Sequence, residues 1–301
     1  IVFCFSATGN SLSVARHIAR NQADSRIIGI REALETPSAV WEDDAIGVVT
    51  PTHTGRMPAP VERFFETADI RTDYLFVVYT CGVTPGLGVN IACRQARRRG
   101  LQVAYANSIK MVDNNFMLYD VRRQIETADA KDIPGHTAAI AADIAARRHY
   151  IALPSVADRL MGICMKAMPS FKGFYRQYRC DTGRCNGCGI CARICPVGAI
   201  TRDGDGHPEW NRGCIRCTAC YHNCPQSAIT HAHIKGGYCQ FRNPDVTLRD
   251  LIDKIDVPFH LKKAKLPPGI AAGRYATFGR CPVFYYCLLY TSPSPRDRSL
   301  S

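Results

Sequence analysis

The chain has no run of about 18 apolar residues, which with a mean hydropathy of −0.13 argues against a transmembrane helix. It has no Gly-Lys-Ser/Thr, which disfavours a nucleoside-triphosphate P-loop, and no G-x-G-x-x-G, which disfavours a dinucleotide fold. No signal or transit segment is readable. An initiator Met is missing too, and Ile1-Val2-Phe3-Cys4-Phe5 is already strand-like, so a short N-terminal piece is expected to be lost. At the other end, Cys287 to Asp297 looks like the conceptual translation of a transposase-type sequencing adapter, the alternative being a Ser/Pro-rich disordered tail. Residues 287–301 are therefore set apart from fold reasoning.

What remains is long enough for two domains, and 46% apolar composition suits a chain that buries a core. Sixteen cysteines would suggest disulfides in a secreted protein, but eight of them fall in a strict pattern between Cys185 and Cys224. That pattern reads as metal chemistry in a reducing compartment.

In residues 1–150, short Val/Ile/Phe-rich runs alternate with amphipathic stretches, which predicts a parallel sheet covered by helices. Expected strands are 1–5, 26–29, 45–49, 74–79 and 102–109. Expected helices lie near 11–22, 59–67, 87–99 and 137–148. The fold class is thus α/β, a doubly wound parallel five-stranded sheet, which binds ligands beyond the carboxyl ends of its strands. The loop after the first strand, Ser6-Ala7-Thr8-Gly9-Asn10-Ser11, sets hydroxyls and amides where a helix begins, as a phosphate requires; a simple capped turn is the plainer reading.

This loop resembles the phosphate loop of the flavodoxin family, with Ser6, Thr8, Gly9, Asn10 and Ser11 matching it. The resemblance extends to two Gly/Pro-rich loops that would hold the flavin ring, Pro51 to Pro58 and Thr80 to Gly86, with Thr52, His53, Thr54, Gly55, Thr80, Cys81 and Gly82 as candidates. It implies FMN as cofactor. Unlike those of most flavodoxins, the two loops contain no Trp, Tyr or Phe to stack on the ring, so His53, Tyr119 or Phe116 would have to serve. Met57 and Cys81 read as packing residues.

The strongest signal is a repeat. Cys185-x2-Cys188-x2-Cys191-x3-Cys195-Pro196 recurs 29 residues later as Cys214-x2-Cys217-x2-Cys220-x3-Cys224-Pro225. Three thiolates on one tight loop can bind three irons of a cubane, and the fourth belongs to a separate turn. This resembles the bacterial two-cluster ferredoxin. The resemblance implies one [4Fe–4S] cluster on Cys185, Cys188, Cys191 and Cys224, and a second on Cys214, Cys217, Cys220 and Cys195, in a small α+β domain at 180–237. Such a domain is expected to be poorly folded without iron and sulfide. Zinc is the competing metal, and Cys180-x4-Cys185-x2-Cys188 mimics a plant-type [2Fe–2S] spacing. Cys180 reads as a spare thiol, and His222 as a surface or supporting residue.

Residues 151–179 read as a linker helix, with Val156, Leu160, Cys164 and Met168 at spacing four; peripheral membrane contact is the alternative use of that basic amphipathic stretch. Residues 238–286 are a C-terminal extension with a helix at 246–255. Residues 1–150 balance to +1 (17 basic, 16 acidic), while 151–286 reach +10 (19 basic, 9 acidic). That excess would suggest nucleic acid, but each oxidised cubane contributes about −2 and a flavin phosphate about −2, so no nucleic-acid partner is expected.

Together these features resemble the anaerobe-type ferredoxin family proteins with an N-terminal flavodoxin-like domain. The resemblance implies a cytoplasmic electron-transfer protein that couples FMN to two clusters and serves a redox partner protein. Two alternatives stand beside it: a flavin-dependent reductase of a small acceptor, and a redox-responsive binding protein that has lost FMN. No acid/base pair stands beside the clusters, so no catalytic residue is expected.

Overall fold

The computed structural model describes residues 1–22, 24–156, 158 and 173–254. Leu160, Cys164 and Met168 of the expected linker helix lie outside the described residues, as do 255–286 and the segment 287–301.

The N-terminal part alternates strand and helix in the order β1 (Val2–Cys4), α1 (Asn10–Arg20), β2 (Ile27–Gly29), α2 (Ile30–Glu35), β3 (Val40–Glu42), β4 (Ala45–Pro51), α3 (Ala59–Thr67), β5 (Asp69–Arg71), β6 (Tyr74–Cys81), α4 (Gly88–Arg98), β7 (Val103–Lys110), α5 (Val121–Glu126), α6 (Ile133–Ala145) and β8 (Tyr150–Ile151). The main sheet has the order β2-β1-β4-β6-β7-β8 and every pairing is parallel. Its first five strands follow the doubly wound order in which the chain reverses direction between β1 and β4. A sixth, β8, joins the expected five at Tyr105 and Ala106; two residues are too short to carry a periodicity. A separate parallel pair, β3 with β5, was likewise not anticipated.

β4 and β6 are the central strands, so their apolar runs are buried on both faces. Alternate residues go to opposite cores. Tyr74, Phe76 and Val78 face α1 and α6, while Leu75, Val77 and Tyr79 face α3 and α4. Gly47 leaves room for the Phe76 ring, which would lie 2.0 Å from a Cβ there.

The second part begins with β9 (Tyr178–Cys180). It continues through α7 (Ile190–Ile194), the hairpin β10 (Ile200–Arg202) and β11 (Pro208–Trp210), α8 (Ala219–His222) and β12 (Ile229–His231), which pairs antiparallel with β9. A further helix, α9 (Leu248–Lys254), follows. Ile190, Ile194, Ala219, Val246, Leu248 and Leu251 share one core with α1 and α6, so the two parts are packed together. The segment before α9 also ties into the first loop. Asn243 N donates to Thr8 O at 2.8 Å, and Arg16 pairs with Asp250 at 2.5 Å. No helix among the described residues is long and apolar enough to cross a membrane.

Candidate functional site

Beyond the carboxyl ends of β1, β4 and β6 lies a cavity of about 690 Å³, within the usual range for a small-molecule site. Ser6, Thr8, Asn10, Ser11, Thr52, His53, Thr54, Gly55, Thr80, Cys81 and Gly82 all line it. Gly9 does not. Its left-handed backbone (φ 97°) precedes α1, and a Cβ there would meet Asn243 and Val246 at 2.9 Å, so this glycine accommodates the C-terminal segment.

The hydroxyls of the first loop are held by neighbours. Ser6 Oγ accepts from the amides of Gly9 (3.1 Å) and Leu12 (3.3 Å), and Ser11 Oγ meets Thr80 Oγ1 at 2.8 Å. Asn10 donates through Nδ2 to Val112 O and accepts from Asn243, which makes it a structural tie. The amides of Asn10 and Ser11 have no acceptor among the described residues, as the first turn of a helix leaves them, and an anion would be stabilised there. The ring loops abut: Leu87 N donates to Gly55 O at 2.9 Å, and a Cβ on Gly86 would lie 2.6 Å from Gly55 Cα.

Burial, reinforced by the Arg216 charge, pulls His53 down to about 4, so its ring is neutral near pH 7. Burial likewise pushes the Cys81 thiol up to about 12, aided by Asp113, so it stays protonated. Of the aromatic candidates, His53 and Tyr119 line the cavity, together with Phe174. Phe116 is not among its lining residues; it packs on Tyr221 with ring centres 4.4 Å apart and is fully buried. Residues far from the loops complete the wall, namely Asn114 to Tyr119 in part, Ile215 to Thr218 and Ala232 to Lys235. Ile215, Arg216, Cys217 and Thr218 belong to the second cysteine run.

The cysteines assemble across the repeat. Cys185, Cys188, Cys191 and Cys224 surround one small cavity beside Gly189 and Pro208. Burial raises the Cys188 thiol, and Cys224 and Cys185 are the thiols that add to it. In the other set, burial raises Cys217 well above the ordinary thiol range, with Cys195 the next contributor. Burial also pushes Cys220 up to about 12; the Trp210 N–H opposes this, and Cys195 and Cys214 add to it. Each fourth cysteine accepts an amide hydrogen bond four residues on, Cys195 from Ala199 (3.2 Å) and Cys224 from Ala228 (3.3 Å).

Two groups of four soft sulfur donors are what a thiolate-ligated cluster needs. The buried polar atoms around them fit as well. Tyr178 Oη and Trp210 Nε1 lie beside Cys220, each without a protein partner of hydrogen-bond geometry among the described residues. Cys180 is also close: its sulfur, that of Cys185 and a His207 ring nitrogen lie within 4.8 Å of one another.

His222 is a buried tie rather than a surface residue. Its Nε2 meets Asn114 O at 2.7 Å, and Phe241 N donates to its Nδ1 at 3.1 Å, which fixes the proton on Nε2. Asn114 donates in turn to Thr8 Oγ1, so one chain of bonds joins the second cysteine run to the first loop of the sheet.

The sequence model of the 4Fe-4S dicluster domain family matches residues 184–229, a span that includes all eight cysteines of the repeat. A flavodoxin-like sheet thus precedes a ferredoxin-type segment. Among solved structures, the chain is similar to a flavoprotein in complex with FMN from Lactobacillus acidophilus, at 15% identity and a TM-score of 0.27 over 36% of this chain and 90% of that one. It is also similar to the two-electron reduced flavodoxin of Megasphaera elsdenii, at 18% identity and a TM-score of 0.29 over 38% and 90%. No curated protein matches the chain.

Proposed function

We propose that the chain is an electron-transfer protein that holds FMN in the 690 Å³ cavity and two [4Fe–4S] clusters on the two cysteine quartets, and passes electrons on to a partner redox protein. A bound flavin exchanges one or two electrons and a cubane exchanges one, so the pair would convert two-electron equivalents into single electrons. The amides at the start of α1 and the hydroxyls of Ser6 and Thr8 would hold the phosphate. The loops at Thr52 to Gly55 and Thr80 to Gly82 would cradle the ring, with neutral His53 beside it. Cys185, Cys188, Cys191 and Cys224 would ligate the first cluster, and Cys214, Cys217, Cys220 and Cys195 the second.

One observation carries this reading: Cys217 and its neighbours are themselves part of the cavity wall, whereas Cys185, Cys188 and Cys191 are not. A ligand of the second cluster would therefore stand next to the flavin, with no third domain between them. The test is anaerobic reconstitution with iron, sulfide and FMN, followed by joint optical and EPR redox titration. Eight irons, one FMN and electron sharing between flavin and clusters are expected. Stoichiometric loading with independent titration and no exchange would exclude the coupling.

A further inference from the structure

The two halves of the repeat adopt the same backbone at three positions where their residues differ in kind. Gly187, Gly189 and Gly198 have φ of 67°, 70° and 61°. Displaced by 29 residues, Arg216, Thr218 and Ser227 have φ of 62°, 61° and 48°. The left-handed region is unfavourable for a residue with a Cβ, and a β-branched side chain such as Thr218 is an outlier there. Glycine would satisfy the backbone at each position, as it does in the first half.

Strain retained at one copy of a repeat and absent from the other marks side chains with another use. Arg216 and Thr218 both line the 690 Å³ cavity, and the Arg216 charge acts on His53 of the ring loop. Ser227 does not line it; its hydroxyl bonds to Gln240 at 3.2 Å. Gly187 and Gly189 instead face the β10–β11 hairpin, where a Cβ on Gly189 would meet the Arg202 guanidinium at 3.1 Å.

We infer that Arg216 and Thr218 are flavin-binding residues lent by the second cysteine loop, with the Arg216 guanidinium placed to favour the negatively charged reduced ring. This rests on the FMN reading above and deepens it. One loop then carries both a ligand of the second cluster and a cation for the flavin. A cation favours the form that has gained negative charge, so it strengthens binding of reduced FMN more than of oxidised FMN and raises the flavin potential.

The test compares Arg216→Ala, Arg216→Gly, Arg216→Lys and Thr218→Gly in the full, cluster-loaded chain, with iron content measured alongside. Reduced FMN is expected to bind about tenfold more weakly to Arg216→Ala and Arg216→Gly, the scale of one charge-assisted hydrogen bond, with a smaller change for oxidised FMN. The two-electron flavin midpoint then falls with the ratio of the two affinities, reaching about 30 mV where oxidised FMN binds unchanged. Arg216→Lys should recover part of the affinity. Arg216→Gly and Thr218→Gly should each melt higher than the parent, because the strain is gone. If Arg216→Ala and Arg216→Gly keep eight irons and the parent's affinity for reduced FMN, the inference fails. If the parent itself binds no FMN, the underlying reading fails instead.

Discussion

The two cysteine quartets come from one repeat and end in different surroundings. The first faces the β10–β11 hairpin, with glycine at its left-handed turns and a small cavity of its own. The second contributes Cys217 to the wall of the cavity at the carboxyl ends of the sheet. Where the first half has Arg193, the second has His222, which bonds to Asn114 and Phe241 and so ties its loop to the cavity side. Arg31, on α2, reaches Cys195 O at 3.0 Å, so the second set is also anchored from the sheet through its fourth cysteine. Identical cysteine spacing thus ends in two surroundings, and the residues between the cysteines decide which.

The sharpest way to break this comparison is to remove one quartet at a time. Cys217→Ala should lower the iron count from about eight to about four and abolish electron exchange with the flavin. Cys188→Ala should also remove one cluster yet leave exchange between the flavin and the remaining cluster. Equal behaviour of the two variants, followed by EPR and flavin absorbance, would contradict the different roles.

His222 gives the next largest effect. Burial pulls it down to about 4, while the Asn114 carbonyl opposes the shift. Because the unfolded chain binds this proton near 6.5, the stabilisation that depends on neutral His222 is present above that pH. It is lost as pH falls from about 6.5 towards 4, by about 3 kcal/mol in all. Urea midpoints at pH 7, 6 and 5 should fall more steeply for the parent than for His222→Asn. An Arg193→Gln variant should keep the parent's slope.

A change confined to the cavity should spare both quartets. At Gly82 a Cβ would lie 1.9 Å from Asp113 Oδ2, so Gly82→Ala must displace a cavity wall, at a cost of about 1–3 kcal/mol. Isothermal titration should show weaker FMN binding with the iron content unchanged. The smallest effect sorts the clusters. Tyr178→Phe takes away a hydroxyl that a cluster on the second quartet would use as a hydrogen-bond donor, worth about 1 kcal/mol, and should lower the potential of that cluster alone. EPR-monitored titration would reveal a shift in the wrong cluster.

Much of the fold was readable because its signals are local. The central strands are unbroken apolar runs, and α3 lies at the expected 59–67 with its proline in the first turn. The cysteine repeat was readable because ligand spacing is written in the chain itself. The remainder depends on contacts distant in sequence. Phe174, Ile215 to Thr218 and Ala232 to Lys235 reach the cavity only through packing of the second part on the first. Gly9 matched a phosphate-loop pattern, yet its close neighbours are Asn243 and Val246, more than 230 residues away. The burial of His222 follows from Phe241 and Asn114, which no spacing links to it. One local signal does point to the cavity: Gly187, Gly189 and Gly198 in the first half of the repeat correspond to Arg216, Thr218 and Ser227 in the second.

The most direct test of the central claim is freeze-quench EPR on the fully loaded chain after rapid photoreduction of the flavin. The cluster lost in Cys217→Ala is expected to be the first to gain the electron, with the cluster lost in Cys188→Ala following it. First arrival at the Cys188 cluster, or no arrival at either while the flavin stays reduced, would contradict the claim.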